Sequence, residues 1–70
     1  MNYRDLTRKL TGLGCEFRRH GKGSHEIWVN LNNRKKTSIP NWGRKDLKMG
    51  TIRAILRQLE IDLSVFENAK

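Results

Sequence analysis

Tyr3, Leu6, Leu10 and Leu13 recur at spacings of three and four, the signature of one apolar helix face. Asn2 stands where a cap belongs, Asp5 falls in the favourable first turn, and Arg4, Arg8 and Lys9 lie on the outer side. Gly12 and Gly14 end the helix. From Cys15 to His20 the pattern alternates, with Cys15 and Phe17 on one face and Glu16 and Arg18 on the other, which predicts a strand. Gly21-Lys22-Gly23 supplies a tight turn, and Ser24 to Leu31, rich in Ile, Trp and Val, predicts a second strand that completes a hairpin. Asn32-Asn33 marks another turn, and Lys36 to Ile39 predicts a third strand stopped by Pro40. After the loop Asn41-Trp42-Gly43-Arg44-Lys45-Asp46, Asp46 stands where a helix cap is expected. Met49, Ile52, Ile55, Leu56 and Leu59 then share one helical arc, with Arg53 and Arg57 beside it in solvent. Asp62 is placed to cap a last short helix, Leu63 to Asn68, whose Leu63 and Phe66 close the end of the core.

The order helix, three antiparallel strands, helix, short helix predicts an α+β sandwich in which the helices cover one sheet face and leave the other to solvent. It is the layout of a double-stranded-RNA-binding domain. In the second strand His25, Ile27 and Val29 share one parity and Trp28 has the other. The large indole fills more core, so Trp28 is expected inward and His25 on the open face.

Seventy residues carry 15 Lys plus Arg against 7 Asp plus Glu, a net charge of +8. Such a chain is one domain, residues 1–70, with a thin core and no room for a deep cofactor cavity. The single Cys15 excludes an internal disulfide and suits a reducing cytoplasm. No apolar run resembles a signal peptide or approaches a membrane span. The charge excess points to a polyanion such as nucleic acid, or to an acidic protein.

His25 follows Gly21-Lys22-Gly23-Ser24 at the start of a strand, and its imidazole can take and give a proton near neutral pH. Removing a ribose 2′-hydroxyl proton lets that oxygen attack the adjacent phosphorus without a metal, provided cations stabilise the phosphate. Lys22, Arg18 and Arg19 are nearest in sequence. The plain alternative is a histidine that merely ends a strand. His20, across the turn, either faces His25 as a second proton-transfer group or is structural, because sequence does not fix the hairpin register. Cys15, His20 and His25 lack the close ligand pairs of a metal site, and Cys15 reads as a small buried apolar residue, so neither a metal nor another cofactor is expected. Two further cationic clusters, Arg34-Lys35-Lys36 and Arg44, Lys45 with Lys48, can meet a phosphate backbone; the latter, near the second helix, is the better candidate for positioning RNA. Trp42 either stacks on a base or covers the core edge.

Taken together, Tyr3-Arg4-Asp5-Leu6, Gly21-Lys22-Gly23-Ser24-His25, Ile39-Pro40, Lys45-Asp46-Leu47-Lys48, Gly50-Thr51 and Ile52-Arg53-Ala54-Ile55-Leu56 resemble, over nearly the whole chain, the HicA (YcfA-like) toxins of bacterial type II toxin–antitoxin pairs. The resemblance implies a double-stranded-RNA-binding-like fold, ribosome-independent cleavage of mRNA, and neutralisation by a cognate HicB antitoxin. The histidine of its Gly-Ser-His motif is catalytic, a role that carries over to His25. Many relatives have a second histidine shortly after the proline that ends the third strand, where this chain has Asn41-Trp42. Two other readings compete with a toxin endoribonuclease: a non-catalytic RNA-binding module of the same fold, and a protein-binding domain that turns its basic face to an acidic partner.

Overall fold

The computed structural model describes residues 1–70. Helix α1 (Tyr3–Gly12) is followed by strands β1 (Cys15–His20), β2 (His25–Asn30) and β3 (Lys36–Pro40), then helices α2 (Met49–Leu59) and α3 (Leu63–Asn68). The strands form one antiparallel sheet in the order β1-β2-β3. This is the α+β arrangement that the hydrophobic pattern predicts.

Local chemistry accounts for most of the boundaries. The Asn2 side chain accepts the Asp5 N–H at 2.9 Å, one of the donors that a helix start leaves without a partner. At the other end Gly14 adopts φ +96°, a region closed to most side chains, and turns the chain into β1. Leu6 and Leu10 are fully buried and pack with Cys15, Trp28, Ile39, Ile52, Ile55, Leu56, Leu59 and Phe66 in one core between the helices and one sheet face. Burial raises the Cys15 thiol pKa, as expected of a small core residue. Asn30, also buried, donates to the Leu59 carbonyl at 3.0 Å and accepts from the Asn32 backbone and side-chain nitrogens, joining the end of β2 to the end of α2.

Three expectations need correction. Asp46 does not cap a helix: α2 begins at Met49, with Lys48 at the cap position and no side-chain cap bond. Buried Leu47 is tied instead to the chain start, its N–H donating to the Met1 carbonyl at 2.8 Å while the Asp46 carboxylate lies 3.2 Å from the Met1 amino group. Met49 is 57 % exposed rather than core, because it lines a cleft open to the surface beside Ile52, Leu63 and Phe66. Asp62 does occupy the cap position of α3, yet its side chain makes no capping bond.

The fourth difference matters for the site. The register runs Phe17↔Trp28 and then Arg19↔Ile27, so Arg18 is an extra residue in β1, a β-bulge. Beyond it the alternation reverses. Arg19 takes the parity of Ile27 and His25, while His20 pairs with Glu26 and takes the parity of Trp28.

Candidate functional site

Trp28 is buried in the core, and His25, of opposite parity, is exposed at the first position of β2 on the sheet face turned away from the helices. Farther along that face Ile27 is half-buried and Val29 fully buried, so it is open at the His25 end rather than throughout. The turn before it is fixed by backbone bonds, with the His25 N–H donating to the Lys22 carbonyl at 3.0 Å and the Gly21 N–H donating to the His25 carbonyl at 2.8 Å. Gly23, at φ +59°, makes the reversal possible. Gly21 packs closely on the histidine: a Cβ there would stand 3.3 Å from the His25 carbonyl oxygen and 3.6 Å from its Cβ.

The other side of His25 is formed by the end of β3. Pro40 is its cross-strand partner, and the next residue, Asn41, donates its N–H to the Ser24 carbonyl at 2.9 Å. The loop that follows is thereby held against the hairpin turn. It carries Trp42, 41 % exposed, and Lys45, whose ammonium lies 5.6 Å from the centre of the indole ring. Of the cations expected at the site, Lys22 shares the turn with His25, Arg19 lies on the same face through the bulge, and Arg44 and Lys45 ride on the Asn41 loop. All four are exposed. Arg18 is exposed at the bulge itself, and Lys48 stands farther along, at the cap of α2. In the third cluster Lys35 is 3.6 Å from Glu60, whereas Lys36 is opposite Val29 on the His25 face.

His20 is not beside His25. The bulge sends it to the other face, where its ring meets Phe17 edge-on at 5.2 Å and its Nδ1 lies 3.7 Å from Glu26 Oε2. Cys15, in the core, is separate from both histidines, so the three do not converge on a common ligand position.

Beneath the sheet stands a group that the sequence reading passed over. The Glu26 side chain is only 12 % exposed; its carboxylate accepts from the Tyr3 hydroxyl and from Asn41 Nδ2 at 3.2 Å. The Tyr3 pKa is pushed up to about 12, first by burial and next by the bond to Glu26, while Trp28, whose buried Nε1 makes no hydrogen bond of ordinary geometry, opposes the rise. Its signal was in the parity: Glu26 alternates with Trp28, so a carboxylate was due on the inward face and required partners there. Asn41 is the second omission. It bonds Ser24 through its backbone and Glu26 through its side chain, and it accepts the Gly43 N–H at 3.1 Å.

The one cleft of the surface lies elsewhere, among Met1, Leu47, Met49, Ile52, Leu63 and Phe66 on the helical side. It contains none of the residues around His25. No helix is long and apolar enough to cross a membrane.

No curated protein and no solved structure gives a match. Residues 3–61 match a family model described as the HicA toxin of bacterial toxin-antitoxin. That match spans most of the 70 residues and includes the hairpin turn, His25 and the Asn41 loop, so the chain belongs to the HicA toxin family of toxin–antitoxin systems, which implies an antitoxin partner.

Proposed function

We propose that this toxin is an endoribonuclease that cleaves mRNA without a metal, with His25 as the general acid–base group. The observation that carries the reading is the exposed imidazole on the sheet face turned away from the helices, between a turn bearing Lys22 and a loop bearing Arg44 and Lys45. His25 takes the proton of a ribose 2′-hydroxyl, and the 2′-oxygen forms a bond to the adjacent phosphorus. The bond from phosphorus to the 5′-oxygen then breaks, and that oxygen leaves with a proton from solvent or from the imidazolium. The products are a 2′,3′-cyclic phosphate and a 5′-hydroxyl, so atoms and charge balance without a cofactor. Lys22, Arg18 and Arg19 stabilise the charge that builds on the phosphoryl oxygens, while Arg44, Lys45 and Lys48 hold the backbone on either side. A cognate HicB-type antitoxin silences the toxin by covering this face.

The test compares wild type with His25→Ala. Wild type is expected to yield cyclic-phosphate ends and to arrest growth on induction; the variant loses both while binding RNA within about threefold of wild type. A deoxyribose at the scissile position blocks cleavage by wild type. Undiminished cutting by His25→Ala overturns the assignment, and RNA binding by a wild type that cuts no transcript favours the non-catalytic module.

A further inference from the structure

The loop after β3 holds an exposed aromatic ring, Trp42, with the Lys45 ammonium beside it. We propose that Trp42, with Lys45 over its ring, is a stacking site for one unpaired nucleobase beside His25, which directs the toxin to single-stranded RNA. The proposal rests on RNA being the ligand of the His25 face.

Three observations support it. Trp42 is outside the core cluster and 41 % exposed, so its ring does not serve as core cover and is open to a ligand. Its loop is anchored rather than loose. Asn41 bonds Ser24 and Glu26, Asn41 Oδ1 accepts from Gly43, and the Lys45 N–H donates to the Trp42 carbonyl at 3.2 Å. Finally, the loop that carries the ring starts beside the proposed chemistry. Pro40 is the cross-strand partner of His25, and two further residues place the Trp42 Cα within about 13 Å of the His25 Cα. A short unpaired segment can therefore lay a phosphate at His25 and a base on the indole.

The chemistry selects the occupant. An aromatic ring beside a cation, in a chain of net charge +8, complements a group that joins a π face to a phosphate. In a duplex each base is already stacked and its faces are closed, so only single strands or loops can use the ring.

The test uses the full chain with fluorotryptophan, whose fluorine NMR spectrum has two signals because the sequence has two tryptophans. Trp42→Phe assigns them. Probes are a 2′-O-methyl single strand, which cannot be cleaved, the corresponding duplex, and polyglutamate. The single strand is expected to shift the Trp42 signal and leave that of buried Trp28 in place, while duplex and polyglutamate leave both. Trp42→Ala, its fold checked by circular dichroism, is expected to weaken single-strand binding roughly 5- to 100-fold, with Trp42→Phe retaining most of the affinity. If the single strand binds but the Trp42 signal stays and Trp42→Ala binds within about twofold, the stacking site is refuted while the RNA reading stands. An equal shift with polyglutamate refutes it too, as a response to charge alone. Failure of every RNA to bind removes the RNA reading itself.

Discussion

The Tyr3 phenol offers a direct measure of the polar cluster beneath the sheet, because it belongs to the only tyrosine in the chain. Its pKa, pushed up to about 12 by burial and then by the bond to Glu26, is read by titrating tyrosinate absorbance. At about pH 11 a free phenol of pKa near 10 is about nine-tenths ionised, whereas Tyr3 in the folded chain should be only about one-tenth ionised. Circular dichroism at each pH confirms that the fold persists. The sign of the linked stability follows from the raised value: the contribution is complete below about pH 10 and disappears as pH rises from there through about 12. A displacement of two units would correspond to about 2.7 kcal/mol for a fully enclosed group, and the partial exposure of the phenol reduces this to about 1 kcal/mol. At neutral pH, where the phenol is protonated folded or unfolded, Tyr3→Phe acts instead by removing the hydrogen bond to the Glu26 carboxylate, a loss of about 1 kcal/mol that should lower the melting temperature by roughly 4–8 °C. Glu26→Gln should bring the titration midpoint only part of the way back, because burial, the larger cause, remains. A midpoint near 10 in the folded protein would refute the reasoning, since neither the burial nor the bond would then exist in solution.

Asn30→Ala removes a buried donor and acceptor that join β2 to α2, and should cost about 2–3 kcal/mol by denaturant unfolding. Gly14→Ala forces a Cβ onto a residue at φ +96° and to 2.7 Å from the Asn32 amide nitrogen, so a loss of about 1–2 kcal/mol is expected in the same assay. If Lys45 and Lys48 each contact a phosphate, replacing either with Ala lowers the slope of log affinity against log salt by about one, whereas Arg53→Ala on α2 leaves it unchanged.

The elements were legible because each is set locally. Spacings of three and four placed α1, a glycine turn between two β-rich runs placed the hairpin, and the volume of the indole decided which face of β2 turns inward. The helix start at α2 was not legible: Asp46 has the side chain of a cap, but buried Leu47 binds the segment to Met1, a contact far away in sequence. The position of His20 was hidden for a related reason. Simple alternation from Phe17 puts it on the face of His25, and the extra residue at Arg18, which no local signal announces, turns it over. The inward carboxylate was legible in principle, as a charged residue in the parity of Trp28. Its partners were not, because Tyr3 and Asn41 come from opposite ends of the chain relative to the hairpin.

That bulge and that carboxylate together explain how a small domain with a thin core can hold a surface site in place. His25 and Glu26 are neighbours in the chain and, by the pleat of β2, face opposite sides of the sheet. On the proposed reading a polymer reaches the imidazole from the upper side, so the loops around His25 are best restrained from the other. The restraint comes from below, where one carboxylate binds α1 through Tyr3 and the Trp42 loop through Asn41, and lies beside His20 of β1. The bulge completes the division: by turning His20 under, it sets the imidazole 3.7 Å from the Glu26 carboxylate, and by turning Arg19 over, it adds a cation to the His25 face. A strand that alternated without interruption would place Arg19 against the apolar underside and leave the upper face one positive charge poorer.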